Sequence, residues 1–368
     1  MTRNTRTAGL ALYARRTGIP ISLLGIVGCT TVPGLSVQAD RYRLELHLNP
    51  AAYELHGRVV LELASTSFDP SAPVHPVAVE LLLHPDLKIA HVAASGARII
   101  YRRHGRAVRD DTDRVTARRH AVIIAEPVDT MTLFIAYHGK LFQDVSAGEV
   151  AGEIHNFDMQ AHVSEEGIYL GGGHWYPEPV ADDDAEPSLT DYTLIVEPVA
   201  GLELIAGAER DPQMAAQTGR LAWRSPYPIE DLVLVGGAHE VYRGSHGVTA
   251  ISLHLKPSQA EHAQGLLDAV GRYLDRYEPL LGPYPASEFS IVDNFFSSGF
   301  AFPTFTLLSS QVINMGSRSQ SAHGYLDHEM LHCWWGNGIH VDPRDGNWCE
   351  ALASYAANYY GYVLDGDE

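Results

Sequence analysis

"HEMLHCWWGNGIHVDPRDGNWCE", His328 to Glu350, opens with His-Glu-x-x-His and closes on a glutamate eighteen positions beyond the second histidine. Histidines at i and i+4 share one face of a helix, so both imidazoles reach a single ion. Glu329 lies about 100° further round the helix. That places it beside the ion rather than among the ligands, where it can take a proton from a bound water. Gly336-Asn337-Gly338 ends this helix, which the pattern starts near Ala322 and carries to Trp335. Another helix begins near Asn347, so Glu350 can fold back against the first. His328, His332 and Glu350 are then three zinc ligands with one position open, and Glu329 is the general base. Trp334 and Trp335 are placed to wall the ion off from water. The competing reading is a histidine pair on a surface helix with an unrelated glutamate.

The rest of the chain changes character once. From about residue 40 to 245 apolar residues alternate with polar ones. Tyr42, Leu44, Leu46 and Leu48 form one such run, and Val59, Leu61 and Leu63 another. Leu133, Ile135 and Tyr137 repeat the pattern, as do Tyr192, Leu194 and Val196. Period 2 with turn residues between the runs predicts many short, half-buried strands. From 246 onward the pattern is mixed. Ser258 and Glu261 read as a capping box, followed by helical spacing at Leu266, Leu267, Val270, Leu274, Tyr277 and Leu281. Gly282-Pro283 stops that helix. Phe289–Phe296 and Phe302–Ser310 each read as a strand. The fold class is thus a multi-domain one, β then α+β.

Here the sequence resembles the gluzincin aminopeptidases, of the membrane alanine aminopeptidase and leukotriene hydrolase type. A bacterial subgroup with Gly-Asn-Gly after the HExxH motif is the better match. The carrying residues are HExxH, the Trp and Gly-Asn that follow, and the distal Glu350 after Gly-Asn-Trp. "RYRLELHLNPAAYELHGRVVLEL" and "GIYLGGGHWYPEP" look like that family's β-domain segments. The resemblance implies an N-terminal β-saddle or sandwich over 40–245 and a thermolysin-like zinc catalytic domain over 246–368, incomplete at its C-terminus. It implies one zinc ion on His328, His332 and Glu350, Glu329 as base, and a peptide or protein substrate. The cleft strand would be Gly299, Phe300, Ala301, Phe302 and Pro303. Phe302 stands where the family's amine-binding glutamate would be, and Asp293, Glu165 or Glu166 are candidates to replace it. The family's oxyanion-binding tyrosine has no counterpart up to Glu368. Tyr359 and Tyr360 are expected to pack along the helix of Glu350.

At the other end, Arg3, Arg6, Arg15 and Arg16 precede a short apolar run, Gly18 to Gly28, and then Cys29. This resembles a bacterial lipobox. It implies a signal peptide over 1–28, a lipid anchor on Cys29, a linker over 29–39, and export to a membrane facing the periplasm or cell exterior. An ordinary signal peptide, or an uncleaved apolar start, has the same composition. The net charge of −19 speaks against nucleic acid as a partner. The acidic run from Asp182 to Glu186 reads as a solvated loop. Cys333 and Cys349 flank the ligands. They could pair, remain free in the core, or offer a competing thiolate. Three functional classes stay open: a zinc-dependent aminopeptidase-like peptidase, a zinc hydrolase with no free-amine requirement, and a non-catalytic surface lipoprotein with a structural zinc.

Overall fold

The computed structural model describes residues 34–65, 76–110, 113–126, 128–144, 159–180, 188–297, 299–315, 325–342, 344, 346–360 and 363. Cys29 with the segment before it, and the acidic run at 182–186, lie outside them.

The alternating runs become strands with one buried face. They include β1 (Val37–Asn49), β2 (Glu54–Ser65), β3 (Val77–Leu83), β4 (Leu87–Ser95), β5 (Ile99–Arg109), β6 (Val115–Ile124) and β7 (Thr130–Lys140). Short strands follow: β8 (Ala161–Val163), β9 (Ile168–Leu170), β10 (Glu178–Pro179), β11 (Asp191–Val196), β12 (Glu203–Ala206), β13 (Glu209–Arg210), β14 (Leu221–Arg224) and β15 (Leu234–Gly237). A seven-stranded sheet runs β13-β14-β11-β1-β2-β7-β4, and two four-stranded sheets run β10-β3-β6-β5 and β12-β15-β9-β8. In β1, Tyr42, Leu44, Leu46 and Leu48 turn inward while His47 faces solvent. One core joins these sheets, with Trp175, Tyr176 and Trp223 fully enclosed.

A fourth set of strands makes the sheet that carries the candidate site. It comprises β16 (Glu240–His246), β17 (Thr249–Leu255), β18 (Glu288–Asn294), β19 (Gly299–Phe302) and β20 (Phe305–Ser309), in the order β16-β17-β18-β20-β19. The change of period at 246 therefore falls inside this sheet's first hairpin. Helix α1 (Pro212–Thr218) belongs to the earlier part of the chain, and α2 (Ala263–Leu281) packs on the five-stranded sheet. Its Leu266, Val270, Leu274 and Tyr277 are buried at the helical spacing the sequence shows. The helix stops where Gly282 takes φ +94 and its N–H donates to the Glu278 carbonyl.

Three local expectations are corrected. The capping box is not Ser258 with Glu261. A 3-10 turn spans Pro257–His262, and Gln259 Oε1 accepts from the Lys256 backbone N–H at 2.9 Å. Pro257 favours the first helical position, because its fixed φ suits the helix and its missing N–H would be unbonded there. That moves the cap upstream, and the buried Gln259 takes the role given to Glu261. The run Phe302–Ser310 is not one strand. The chain reverses at Pro303-Thr304, and β19 returns antiparallel to β20. Last, the helix carrying His328 is α4 (Leu326–Leu331), after α3 (Ser310–Met315), and it ends four residues before Trp335. Helix α5 (Trp348–Ser354) begins where expected and continues as a π-helical segment, Tyr355–Tyr360.

A third core joins the β-rich part to the five-stranded sheet. Tyr169, Ile205 and Val235 meet Val292, Phe305 and Leu307, with Phe300 and Phe302 packed at the edge. Phe305 is fully buried and its ring centroid lies 4.6 Å from that of Phe302. Phe305→Ala should lower stability by about 3–5 kcal/mol, the cost of the lost burial plus the cavity. Urea denaturation of the purified variant measures this; a loss under about 1 kcal/mol contradicts the packing.

Candidate metal centre

Helix α4 is only six residues long, so packing must hold it rather than its own propensity. Leu326, Met330 and Leu331 sit in the core under α2. The Tyr277 hydroxyl donates to Asp327 Oδ2 at 3.2 Å, tying α4 to α2. This leaves His328, Glu329 and His332 on the side away from the core. Helix α5 crosses at this point and presents Glu350 from its first turn.

The three predicted ligands converge. His328 Nε2 and His332 Nε2 are 3.2 Å apart. Glu350 Oε2 lies 3.3 Å from the first and Oε1 3.4 Å from the second. Ligands about 2.05 Å from a tetrahedral zinc stand about 3.3 Å from one another, so the donor triangle fits zinc. The rings are nearly perpendicular, at 84°, so their nitrogens aim at one point from different planes. His332 Nδ1 lies 3.1 Å from the Trp335 carbonyl. If that nitrogen carries the proton, Nε2 is free as a ligand. The Glu350 side chain is 53% exposed, so the triangle opens to solvent on one side.

Electrostatics reflect crowding around a half-buried carboxylate. Burial, helped by the Glu350 charge, pushes Glu329 up to about 7. Burial and the His332 ring push His328 down, against the pull of Glu350. Glu329 sits against the cleft strand: a Cβ on Gly299 would stand 3.3 Å from Glu329 Oε1. Gly299 thus opens the space beside Glu329. Phe300 and Phe302 are half-buried at the edge of the third core, with ring centroids 6.3 Å apart. The Ala301 carbonyl accepts from Asn337, and the buried Pro303 accepts from the Tyr284 hydroxyl at 3.3 Å.

The replacements considered for the amine-binding group separate. Asp293 is buried away from the triangle, bound to Lys256 at 2.9 Å, Gln259 at 2.9 Å and Ser310 at 2.6 Å. Its charge is spent there. Glu165 and Glu166 stand on the turn before Gly167, which lies against the Phe295 ring. Trp334 turns into the core, edge-on to Tyr284, with its indole N–H on the Gly282 carbonyl at 3.2 Å, and so does not wall the ion. Cys333 and Cys349 are both free. Burial pushes the Cys333 thiol up to about 12, which removes it as a competing thiolate. Tyr359 stacks along its helix near Tyr355, at 5.4 Å, and faces solvent.

One residue of the site, Asn337, has a structural role that the helix-ending and motif readings of Gly-Asn-Gly do not include. Asn337 Nδ2 donates to the carbonyls of both Ala301, at 3.3 Å, and His332, at 3.2 Å. Its backbone N–H also donates to the His332 carbonyl, at 3.0 Å. Gly336 before it takes φ +109, and a Cβ on Gly338 after it would stand 2.8 Å from the Cys333 carbonyl. The Gly-Asn-Gly letters were the available signal.

No protein-family model matches the chain, and no curated protein matches it in sequence. Solved structures do match. The crystal structure of an M1 zinc metallopeptidase from Deinococcus radiodurans aligns at 16% identity, over 91% of this chain and 73% of that one, with a TM-score of 0.58. A mutant of an M1 zinc metallopeptidase from the same organism, bound to a Tyr-Ser-Ala substrate, aligns at 15% identity over 90% and 71%, with a TM-score of 0.56. A two-domain M1 zinc metallopeptidase mutant bound to L-tryptophan aligns at 16% identity over 92% and 74%, with a TM-score of 0.58. At such identities the likeness is one of fold, and the chain has the fold of a two-domain M1 zinc metallopeptidase.

Proposed function

We propose that this chain is a zinc-dependent metallopeptidase that hydrolyses peptide bonds. The observation that carries the reading is the donor triangle of His328, His332 and Glu350, spaced 3.2 to 3.4 Å, with Glu329 alongside. A zinc ion on these residues supplies a Lewis acid that polarises a carbonyl and lowers the pKa of water. Glu329 takes the proton of the attacking water and returns it to the leaving amine. Its raised pKa suits a group that must both accept and release a proton near neutrality. Gly299 leaves room for the scissile bond, and the edge of β19 offers backbone groups to an extended substrate. A structural zinc is usually closed by four protein ligands, whereas this set has three and an open side. On this reading the β-rich domain spans 40–245 and the catalytic domain 246–368. The basic, apolar N-terminus ending in Cys29 supports export as a lipoprotein.

Phe302 favours a second reading on substrate choice. An apolar ring in contact with Phe305 gives no carboxylate to a free amine. The same hydrolysis then proceeds on peptides with a blocked amino terminus.

Four measurements test these readings. Metal analysis after gentle purification should find about one zinc per chain; less than about a tenth, not restored by added zinc, removes the reading. Glu329→Gln should keep the zinc and lower kcat by about a hundredfold or more. Full turnover in that variant excludes Glu329 as base. Asn337→Ala should weaken zinc binding by about 10- to 100-fold in a chelator competition, because the His332 turn loses its clamp. Comparing free and N-acetylated peptides of one sequence separates the two substrate readings, since strict dependence on a free amine rules out the second.

A further inference from the structure

The five-stranded sheet has two different faces. Ile251, Leu253 and Leu255 of β17, with Phe289 and Ile291 of β18, pack on α2. The opposite face meets the β-rich part of the chain, where an apolar surface would be expected if packing were its only task. Toward β20 it is apolar, with Val292, Phe305 and Leu307 in the third core, but toward β16 it is polar. Arg243, Ser252 and Ser290 are cross-strand neighbours in one row, and His254 stands two residues along β17. Ser252 Oγ lies 2.8 Å from Ser290 Oγ and 3.1 Å from His254 Nε2. His254 is 95% buried (5% exposed), and its Nδ1 has no hydrogen-bond partner. A buried polar atom left unpaired costs stability unless something else satisfies it.

These residues floor a cavity of about 360 Å³ between the two parts of the chain, within the range of small-molecule sites. Ile205 and Trp223 give its other side an apolar wall. Two cations and two anions line it: Arg210, Arg243, Glu203 and Glu288. Arg210 is engaged, lying 4.4 Å over the Trp223 ring and donating to the Leu204 carbonyl at 2.8 Å. Glu288 is engaged too, accepting from the Arg210 backbone at 2.7 Å. The side chains of Arg243 and Glu203 make no hydrogen bond or ion pair among the described residues, although both interact with the Arg210 charge at longer range. One charge of each sign without a hydrogen-bonded partner therefore borders a cavity with an apolar wall. A plain anion would meet the two carboxylates, and a plain cation the two guanidiniums. A ligand carrying both charges meets neither penalty.

We propose that this cavity binds a small zwitterion, a free aliphatic α-amino acid, with its carboxylate on Arg243 and its ammonium on Glu203. The side chain lies against Ile205 and Trp223, and His254 Nδ1 is available to the ligand's polar end. Burial, with the charges of His239, Arg210 and Arg243, pushes His254 down to about 3, so it stays neutral there. None of the metal-centre residues takes part, so the proposal stands apart from the peptidase reading.

The test is calorimetric titration of the zinc-loaded protein with L-leucine, isocaproate and isoamylamine. The last two lack the ammonium and the carboxylate respectively. Leucine should bind at least about tenfold tighter than either, since each charged hydrogen bond is worth about that factor. Arg243→Ala and Glu203→Gln should each weaken leucine by about tenfold. Both residues are exposed, and a thermal melt checks that the variants remain folded. Three results overturn the proposal: no leucine binding, isocaproate binding as tightly as leucine, or leucine binding untouched by both substitutions. The last places the amino acid elsewhere, for example at the metal centre.

Discussion

The site hangs on one side-chain amide. Asn337 Nδ2 is shared between the carbonyl of His332, at the end of the metal helix, and that of Ala301, in the cleft strand. The first carbonyl belongs to a ligand and the second to the wall of the cleft. A six-residue helix cannot fix its own orientation, and a hairpin strand at a sheet edge has only one neighbour. The amide makes each the reference for the other. The glycines serve that bond. Gly336 supplies a backbone angle that other residues resist, and Gly338 lets the chain pass close to the Cys333 and Trp334 carbonyls. The return is finished by the Ile339 N–H on the Trp334 carbonyl, at 2.8 Å.

From the other side the metal helix is held by burial. Met330, Leu331 and Cys333 are fully enclosed, and the Tyr277–Asp327 bond crosses to α2. Between clamp and core, the two histidines and Glu350 are brought within van der Waals range of one another, with the half-buried Glu329 near. Partly desolvated donors of this kind lose hydration without gaining strong partners. A cation among them reverses that balance. Metal binding and stability are then linked, because an ion that prefers the folded state adds its binding free energy to folding.

The strands of the β-rich part were legible because each has one wet face and one dry one, and period 2 reports that contrast directly. Helix α2 was legible for the same reason at period 3.6. The ligands were legible because helical geometry alone places His328 and His332 together. Legibility failed where both faces are dry. Every residue of β20 is buried, so no alternation marks where β19 ends, and only Pro303 hinted at the reversal. It failed again where a side-chain bond ends an element. The apolar letters run on to Trp335, but the His332 carbonyl is taken by Asn337 and the helix stops. In "TAISLHL", Ser252 and His254 alternate with leucines as a surface strand would, and the letters do not tell that this polar face is covered by another sheet.

Phe302 ties the strand beside the donor triangle to the packing between the two parts of the chain. Its ring lies against Phe305 in the core that joins the two parts of the chain, and its Cβ comes close to Gly207 of the β-rich part. A carboxylate in that place would lose water among Phe300, Phe305 and Pro303 without a cation to receive it. It would therefore sit protonated, or force the strand outward and disturb the Ala301 carbonyl on which Asn337 depends. The identity of residue 302 is thus constrained from three sides: the joint between the two parts, the cleft, and the clamp on the metal helix. A carboxylate at this position therefore needs a companion change in the third core. Through Asn337, the packing at residue 302 and the placing of the donor triangle are coupled.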